Sequence, residues 1–328
     1  ARWSDGEVTF TESDADCSIV GSTLTVGQVG DGSCTVTATI AESDNYLGTS
    51  DTVTVTIDKA EQEEFSITDG LSITYGTTLD LGTAGGSGDG AVSWSVADTS
   101  ASCSIDAETG ELTVDDANGG TTLCTVTATK AESANYLETS AELAIAVARA
   151  AQSPLTARAD GNAAGTTVTY TPAGGTTVAL STVGGSAGAV SYAVVDSESN
   201  CSISGSTLTV VQRGDGECVV RATRAATSNY EAVEDTVAVT IDKAAAEITF
   251  DALANRTYED FPFTVSATTT NTDDSTVSFA STTSGVCTVE GTEVTILAAG
   301  TCTVSVTKAT DTNYLSATSA GVPITIAK

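Results

Sequence analysis

Eight cysteines and the absence of histidine limit the chemistry that this chain could perform. A zinc site would need cysteines separated by only about two to four residues, usually accompanied by histidine, and neither pattern occurs. The wider spacing predicts disulfides instead, and disulfides persist in oxidising compartments. A closed loop of about 15 residues contributes roughly 3 kcal/mol in the chain-entropy model. The predicted pairs are Cys17/Cys34, Cys103/Cys124, Cys201/Cys218 and Cys287/Cys302.

Clustered carboxylates are the second candidate for chemistry, because Ca²⁺ prefers carboxylate oxygens as ligands. No EF-hand or Gly/Asp nonapeptide pattern accompanies these clusters. A solvated acidic face that keeps the chain soluble explains them equally well. Calcium binding therefore remains one of two interpretations, and no other cofactor is expected. The weak candidate ligands are Asp14, Asp16, Asp115, Asp116, Asp273 and Asp274.

Catalysis is not expected from this composition. Without histidine, neither a Ser-His-Asp nor a Cys-His arrangement can form. Pairs of carboxylates are numerous only because the chain has 43 acidic residues. A glycosidase-type pair would also need a cleft that raises the pKa of one carboxyl group. We predict that the chain is not an enzyme.

Two short motifs have both a functional and a structural interpretation. Arg213-Gly214-Asp215 spells a tripeptide known from integrin ligands. Val29-Gly30-Asp31-Gly32 occupies the same place in an earlier segment, which favours a shared turn. Asn200-Cys-Ser and Asn255-Arg-Thr match the N-glycosylation pattern, which is also frequent by chance.

The elements that must position these residues are β-strands. Val, Ile and Leu alternate with Thr and Ser, which is typical of a pleated, half-buried surface, and no segment has a helical period. The sequence contains four copies of one repeat. Each predicted pair of cysteines lies within one copy, so each copy can form its own disulfide. In every copy an Asn-Tyr pair follows the second cysteine, with its tyrosine twelve residues later, at Tyr46, Tyr136, Tyr230 and Tyr314. We interpret these rings as packing on the end of a sandwich, with the asparagine shaping a turn.

About seven short strands per copy, with regular turn signals, predict an antiparallel sandwich. The predicted fold class is all-β: a tandem array of four immunoglobulin-like β-sandwich domains, with one disulfide per domain. The junctions, such as Ile57-Asp-Lys-Ala, contain no Gly/Ser-rich or Pro-rich spacer, so we expect a semi-rigid rod. The predicted domains are residues 1–59, 60–149, 150–243 and 244–328.

Several segments of the sequence resemble the bacterial Ig-like repeats of very large surface proteins and adhesins. The resemblance covers essentially the whole chain and rests on Cys201-SISGSTLTV, Cys124-TVTATKAES and the closing phrase VTVTIDKA. It implies the fold and export, but no ligand. One departure is clear: the aromatic residue precedes the first cysteine, whereas the core tryptophan of antibody domains lies between the two.

The net charge limits the classes of partner that the chain could bind. A net charge of −31 is repelled by nucleic acids and by anionic membranes. No apolar run is long enough to insert into a membrane. We expect an extracellular or cell-surface structural protein, a stalk or fibre building block of a bacterial surface or matrix. Its partners would be neighbouring copies of itself. The alternative is an adhesin whose repeat loops recognise a glycan or a surface protein, for which Trp3 is a weak candidate.

The first repeat is predicted to lack its opening strands. It reaches Phe10 almost at once, whereas the other repeats have opening strands, such as Ile67–Leu81, before the equivalent aromatic residue. Residue 1 is not methionine, which indicates a trimmed or excised chain. Either the chain is cut from a longer array, or another copy supplies the missing strand. Our hypothesis is that intermolecular contacts in a fibre complete residues 1–60.

Overall fold

The computed structural model describes residues 6–30, 32–97, 103–195, 200–271, 274 and 276–328. Regular structure in these residues is β-strand, apart from short 3-10 turns at Asn118–Gly120 and Pro172–Gly174. The backbone forms two compact units, Ala1–Ala150 with Ser228–Tyr230, and Ala151–Thr227 with Glu231–Lys328. The strands follow one another as tandem β-sandwich repeats, so the predicted all-β tandem fold is confirmed.

The first repeat contains one sheet and one hairpin. Its strands are β1 (Val8–Glu12), β2 (Cys17–Val20), β3 (Thr23–Val26), β4 (Ser33–Ile40) and β5 (Thr49–Thr56). The sheet has the order β1-β4-β5 and is antiparallel throughout, and β2 pairs with β3.

The second repeat is a fuller sandwich. Its strands are β6 (Phe65–Thr68), β7 (Ser72–Thr74), β8 (Thr78–Asp80), β9 (Gly82–Gly85), β10 (Val92–Val96), β11 (Cys103–Ile105), β12 (Glu111–Val114), β13 (Leu123–Lys130) and β14 (Thr139–Ala148). One sheet has the order β10-β13-β14-β7. The opposite layer combines β11-β12-β8 with the pair β6-β9.

The third repeat is the most regular. Its strands are β15 (Leu155–Ala159), β16 (Thr166–Thr169), β17 (Thr177–Gly184), β18 (Val190–Val194), β19 (Cys201–Ser204), β20 (Thr207–Val210), β21 (Glu217–Arg224) and β22 (Val233–Asp242). The two sheets have the orders β15-β17-β20-β19 and β16-β22-β21-β18.

The fourth repeat follows the same plan with shorter opening strands. Its strands are β23 (Ile248–Thr249), β24 (Arg256–Thr257), β25 (Phe263–Thr264), β26 (Thr268–Thr269), β27 (Ser278–Ser281), β28 (Cys287–Glu290), β29 (Glu293–Ile296), β30 (Gly300–Lys308), β31 (Ala317–Thr318) and β32 (Val322–Ala327). Its larger sheet has the order β24-β32-β30-β27.

One strand pairing departs from the predicted antiparallel sandwich. In repeats two, three and four an opening strand runs parallel to the closing strand: β7 with β14, β16 with β22 and β24 with β32. The parallel pairing arises because the opening part of each repeat passes from one sheet to the other. In repeat three, for example, β15 pairs with β17 in one layer. The chain then crosses to the other layer, where β16 reaches the free edge of β22.

Alternating side chains build a separate core in each of these three repeats. In repeat three the inward residues of β20, β21 and β22 include Leu208, Val220 and Val239, all fully buried. Repeats two and four have equivalent clusters. The intervening Thr and Ser residues face outwards, as the period of two requires.

Each disulfide joins the two layers of its own repeat. In repeat three Cys201 begins β19 and Cys218 lies in β21 of the other sheet, with their Cα atoms 6.4 Å apart. The other bridges are Cys17–Cys34, Cys103–Cys124 and Cys287–Cys302. The prediction of one disulfide per domain is confirmed.

The first repeat has fewer described strands than the other repeats. Among the described residues it has no buried apolar cluster beyond its disulfide. Phe10 is 39 % exposed, whereas the equivalent Trp94 is 7 % exposed. A cavity of about 510 Å³ is lined by Ala41 and Leu47. In repeat two the Gln62 side chain fills that place by donating to Ala131 O and Leu137 O.

We expect the first repeat to depend on its disulfide more than any other repeat. The variant Cys17→Ser/Cys34→Ser loses about 3 kcal/mol of loop-closure stabilisation, with no apolar core to compensate. We expect β4 to lose amide protection in hydrogen exchange. Cys201→Ser/Cys218→Ser is the matched control, because its loop has the same separation of 17 residues, and β21 should stay protected. Equal protection of β4 with and without the bridge would contradict this prediction.

Candidate functional site

The Asn-Tyr elements are not simple turns. In the first unit the side chain of Asn135 accepts a hydrogen bond from the amide of Val29 at 2.8 Å. Asn229, also in that unit, accepts one from Ala117 at 2.8 Å. In the second unit Asn313 accepts one from Arg213 at 2.7 Å. The interpretation that the asparagine only shapes its own turn was therefore incomplete. Its amide oxygen satisfies a backbone N–H of another repeat.

The junction residues are tied to the same elements by backbone hydrogen bonds. Ala60 donates to Asn135 O at 2.9 Å, and Leu137 donates back to Ala60 O at 2.9 Å. Ala244 donates to Asn313 O at 2.9 Å, and Leu315 donates back to Ala244 O at 2.8 Å. Each junction alanine thus forms a parallel bridge to the tyrosine that follows the asparagine. The short junctions are therefore held as added strand residues.

A basic residue precedes each junction alanine, and at two of the junctions it contacts the Asn-Tyr element of the next repeat. Lys59 forms an ion pair of 3.0 Å with Glu132, three residues before Asn135. Lys243 donates to the Thr310 hydroxyl at 3.1 Å, and Thr310 lies three residues before Asn313. An exposed ion pair of this kind contributes little stability, but it fixes which surfaces face each other.

The tyrosine rings pack against tyrosines that the sequence analysis did not single out. The ring of Tyr230 lies 5.5 Å from that of Tyr75 in an edge-to-face arrangement. Tyr314 lies 5.8 Å from Tyr170 and belongs to the core cluster of repeat three. Tyr75 and Tyr170 each follow the opening strand that pairs with the closing strand. This recurring position was a signal in the sequence that could have identified them.

We use the name Asn-Tyr joint for this combination of side-chain acceptor, backbone bridge, basic residue and tyrosine pair. Within the residues that the structure describes, repeat one has no strand before β1. A cavity of about 230 Å³ lies at its joint, lined by residues that include Val29, Ile57 and Tyr136.

The Arg213-Gly214-Asp215 motif is part of a joint. The amide of Arg213 donates to Asn313, as described above, and the Asp215 carboxylate accepts a hydrogen bond from the Asn200 side chain at 2.8 Å. Gly214 and Gly216 have φ values of 56° and 97°, which favour glycine. This geometry agrees with the turn interpretation.

The two glycosylation motifs differ in accessibility. Asn200 is fully buried and bonded to Asp215, so the folded repeat does not present it to an enzyme. Asn255 is exposed, and its side chain accepts a hydrogen bond from the amide of Thr325 at 3.1 Å.

Three of the calcium candidates accept hydrogen bonds from groups of the protein. The Asp14 carboxylate accepts a hydrogen bond from the amide of Thr35, and the Asp116 carboxylate accepts one from the amide of Asn118, each at 2.8 Å. In the portion of the chain that the structure describes, no three Asp, Glu, Cys or His side chains come together as ligands. The binding of calcium by Asp16, Asp115 or the others stays a prediction. Asp273 and Trp3 lie outside the described residues.

Asp274 instead belongs to a polar cluster around the buried Lys308. The Lys308 side chain is 1 % exposed and pairs with Asp274 at 3.2 Å and Asp311 at 3.6 Å. Hydrogen bonds from the side chain and amide of Thr276, and then from Lys308, lower the pKa of Asp274 to about 2. Burial raises the pKa of Asp311. The hydrogen bond from Asn271, two backbone amides and the charge of Lys308 outweigh burial and leave that pKa lowered.

Comparisons with known proteins give only distant likenesses. No family model matches the chain, and no curated protein sequence matches it. Among solved structures, the protocadherin GammaB4 extracellular domain is 15 % identical with a TM-score of 0.29, over 99 % of this chain and 60 % of that one. The chain thus spans less than two thirds of that protein.

Two other solved structures cover more of their own length. The protocadherin gammaB7 EC3-6 cis-dimer structure is 15 % identical with a TM-score of 0.33, over 98 % of this chain and 91 % of that one. Drosophila N-cadherin EC1-4 is 10 % identical with a TM-score of 0.26, over 100 % and 94 %. Such values carry no argument about function. Within the described residues, no helix is long and apolar enough to cross a membrane.

Proposed function

We propose that this chain is an extracellular structural protein, a stalk or fibre building block of a bacterial cell surface or matrix. The observation that carries the proposal is the Asn-Tyr joint. The hydrogen bonds from the Val29 amide to Asn135 and from the Arg213 amide to Asn313 are equivalent bonds at two different junctions, with lengths of 2.8 Å and 2.7 Å. A contact repeated at junction after junction serves the array as a whole, whereas a binding function needs one repeat that differs from the rest.

Two further features support this proposal. Four disulfides indicate an oxidising environment. The high negative charge keeps an array of apolar strands soluble. The incomplete face of repeat one belongs to the same proposal, because intermolecular contacts in a fibre would complete residues 1–60.

Localisation and thiol state test this function together. Cells that make the protein should show surface stalks or fibres in electron micrographs, labelled by antibodies against repeat three. Alkylation without reductant should modify no cysteine of the native protein. Label confined to the cytoplasm, or free thiols at the pairs described above, would overturn the proposal.

An adhesin remains the second candidate, because repeat four exposes two aromatic residues in one loop. Phe261 is 90 % exposed and Tyr258 is 47 % exposed. Exposed aromatic side chains are common anchors in protein recognition. Binding to glycans or surface proteins that Phe261→Ala abolishes would favour this function over a purely structural one.

A further inference from the structure

One Asn-Tyr joint contains the only Asn-Gly pair of the sequence, Asn118-Gly119. The pair follows Ala117, whose amide donates to Asn229, and we call this contact the Asn229 joint. An asparagine that precedes glycine is chemically labile, because glycine has no side chain to keep its amide nitrogen away from the asparagine carbonyl carbon. A labile pair inside a joint links covalent chemistry to the opening of that joint.

The backbone at Asn118 explains why an asparagine is tolerated there. The residue after the donated amide is left-handed in three joints, with φ values of 57° at Gly30, 45° at Asn118 and 56° at Gly214. Glycine adopts this conformation without strain, and asparagine is among the few other residues that do so readily. Two equivalent loops use glycine, so Asn118→Gly is a conservative change for the fold.

The closed joint holds the reactive nitrogen. The amide of Gly119 donates a hydrogen bond to Ser228 O at 2.8 Å. Ser228 directly precedes Asn229, whose side chain accepts the amide of Ala117 at 2.8 Å. The amides on both sides of Asn118 are therefore bound to one short element. While these bonds persist, the nitrogen of Gly119 is held by its acceptor and is not available as a nucleophile.

The Asn118 side chain, in contrast, lies in water. Asn118 is exposed, whereas Ala117 before it is fully buried. Water can therefore reach the side-chain carbonyl carbon and any ring that forms from it. The closed joint restrains the nucleophile and leaves the electrophile open to solvent.

We propose that Asn118-Gly119 is a site of non-enzymatic deamidation that the Asn229 joint controls. When the joint opens, the Gly119 nitrogen gives up its proton and attacks Cγ of Asn118. The new N–Cγ bond closes a succinimide ring, the Cγ–Nδ2 bond breaks, and ammonia leaves with the proton. Water then adds to either ring carbonyl and yields an aspartate or an isoaspartate at this position. Water is the only other reactant.

The products prevent the joint from closing as before. An isoaspartate places an additional carbon atom in the backbone, which moves the amide of Gly119 out of register with Ser228 O. Both products also add a negative charge beside Asp115 and Asp116. The reaction is irreversible, so it weakens this joint as the protein ages. This inference goes beyond the structural function proposed above and does not depend on it.

Rates of deamidation in joint variants test the control. During long incubation at mildly alkaline pH, peptide mass mapping follows the exchange of ammonia for water at Asn118. The folded chain should react about tenfold or more slowly than a synthetic peptide of the same loop, because local opening must come first. Asn229→Ala leaves the amide of Ala117 without its acceptor and should accelerate the reaction about tenfold. Asn313→Ala is the matched control, because it removes the equivalent acceptor at a different joint, and the rate should not change.

The effect of the reaction on the joint has its own test. Amide hydrogen exchange in residues 117–120 should be faster in aged protein than in fresh protein, and Asn118→Gly should show no such change. Retained protection of β13 in Asn229→Ala would show that this variant still folds. Equal rates in Asn229→Ala and Asn313→Ala, equal rates in the folded chain and the peptide, or unchanged exchange in the deamidated chain would overturn the inference.

Discussion

Replacing Tyr314 by alanine is expected to destabilise repeat three by about 3–4 kcal/mol, although the residue belongs to repeat four. Removing a buried aromatic side chain commonly costs this much. The Tyr314 ring is 2 % exposed and lies within the core cluster of repeat three. Hydrogen exchange resolved by peptide should show the loss in β21 and β22 of repeat three, as well as in the strands of repeat four.

Tyr46→Ala is the matched control, because Tyr46 is the same residue of the repeat but is 40 % exposed and packs on no tyrosine among the described residues. Its expected effect is within about 0.5 kcal/mol, as for most surface substitutions. A double-mutant cycle with Tyr170→Ala should give a coupling of about 0.5–1.5 kcal/mol, the range for aromatic pairs. If Tyr314→Ala affected only repeat four, the joint would not couple the stability of neighbouring repeats.

Replacing Lys308 by alanine is expected to destabilise repeat four by about 3 kcal/mol. Breaking a buried ion pair by removing one partner usually costs about 3–5 kcal/mol. The low end applies because the side chains of Asp274 and Asp311 are 50 % and 24 % exposed, so they can be hydrated again. Denaturant unfolding followed by hydrogen exchange in β30 measures the change.

Two variants separate charge from packing in this prediction. Lys308→Met keeps the aliphatic volume and should cost less, about 1 kcal/mol, because an apolar side chain of similar size often replaces a buried charge well. Lys130→Ala removes the equivalent lysine of repeat two, which has no carboxylate partner within the described residues, and should have a small effect. Equal losses for Lys130→Ala and Lys308→Ala would contradict the role of the cluster.

Acid should weaken repeat four through the same cluster. The pKa of Asp274 is lowered to about 2 and that of Asp311 is lowered. Lowered carboxyl pKa values stabilise the fold fully above the ordinary Asp pKa of about 3.9, and this stabilisation is lost as pH falls through the folded value. Repeat four should therefore lose amide protection between about pH 4 and about pH 2. Lys308→Met should reduce this dependence without removing it, because the hydrogen bonds from Thr276 remain.

Local patterns in the sequence determined much of this protein. The alternation of β-branched and polar residues, the regular turn signals and the recurring cysteines identified the four sandwiches and one disulfide for each. These features depend on residues that lie near one another in the sequence, where periodicity and spacing are direct signals.

The tertiary structure alone decided what the recurring polar residues contact. The amide of Val29 and the side chain of Asn135 are separated by 106 residues, and those of Arg213 and Asn313 by 100. No local pattern predicts a partner at that distance, so the asparagine was interpreted as a turn residue. The buried Lys308 was missed for the same reason. A lysine at the end of a strand is ordinarily exposed, and it is buried here because Asp274 and Asp311 come from separate loops to neutralise it.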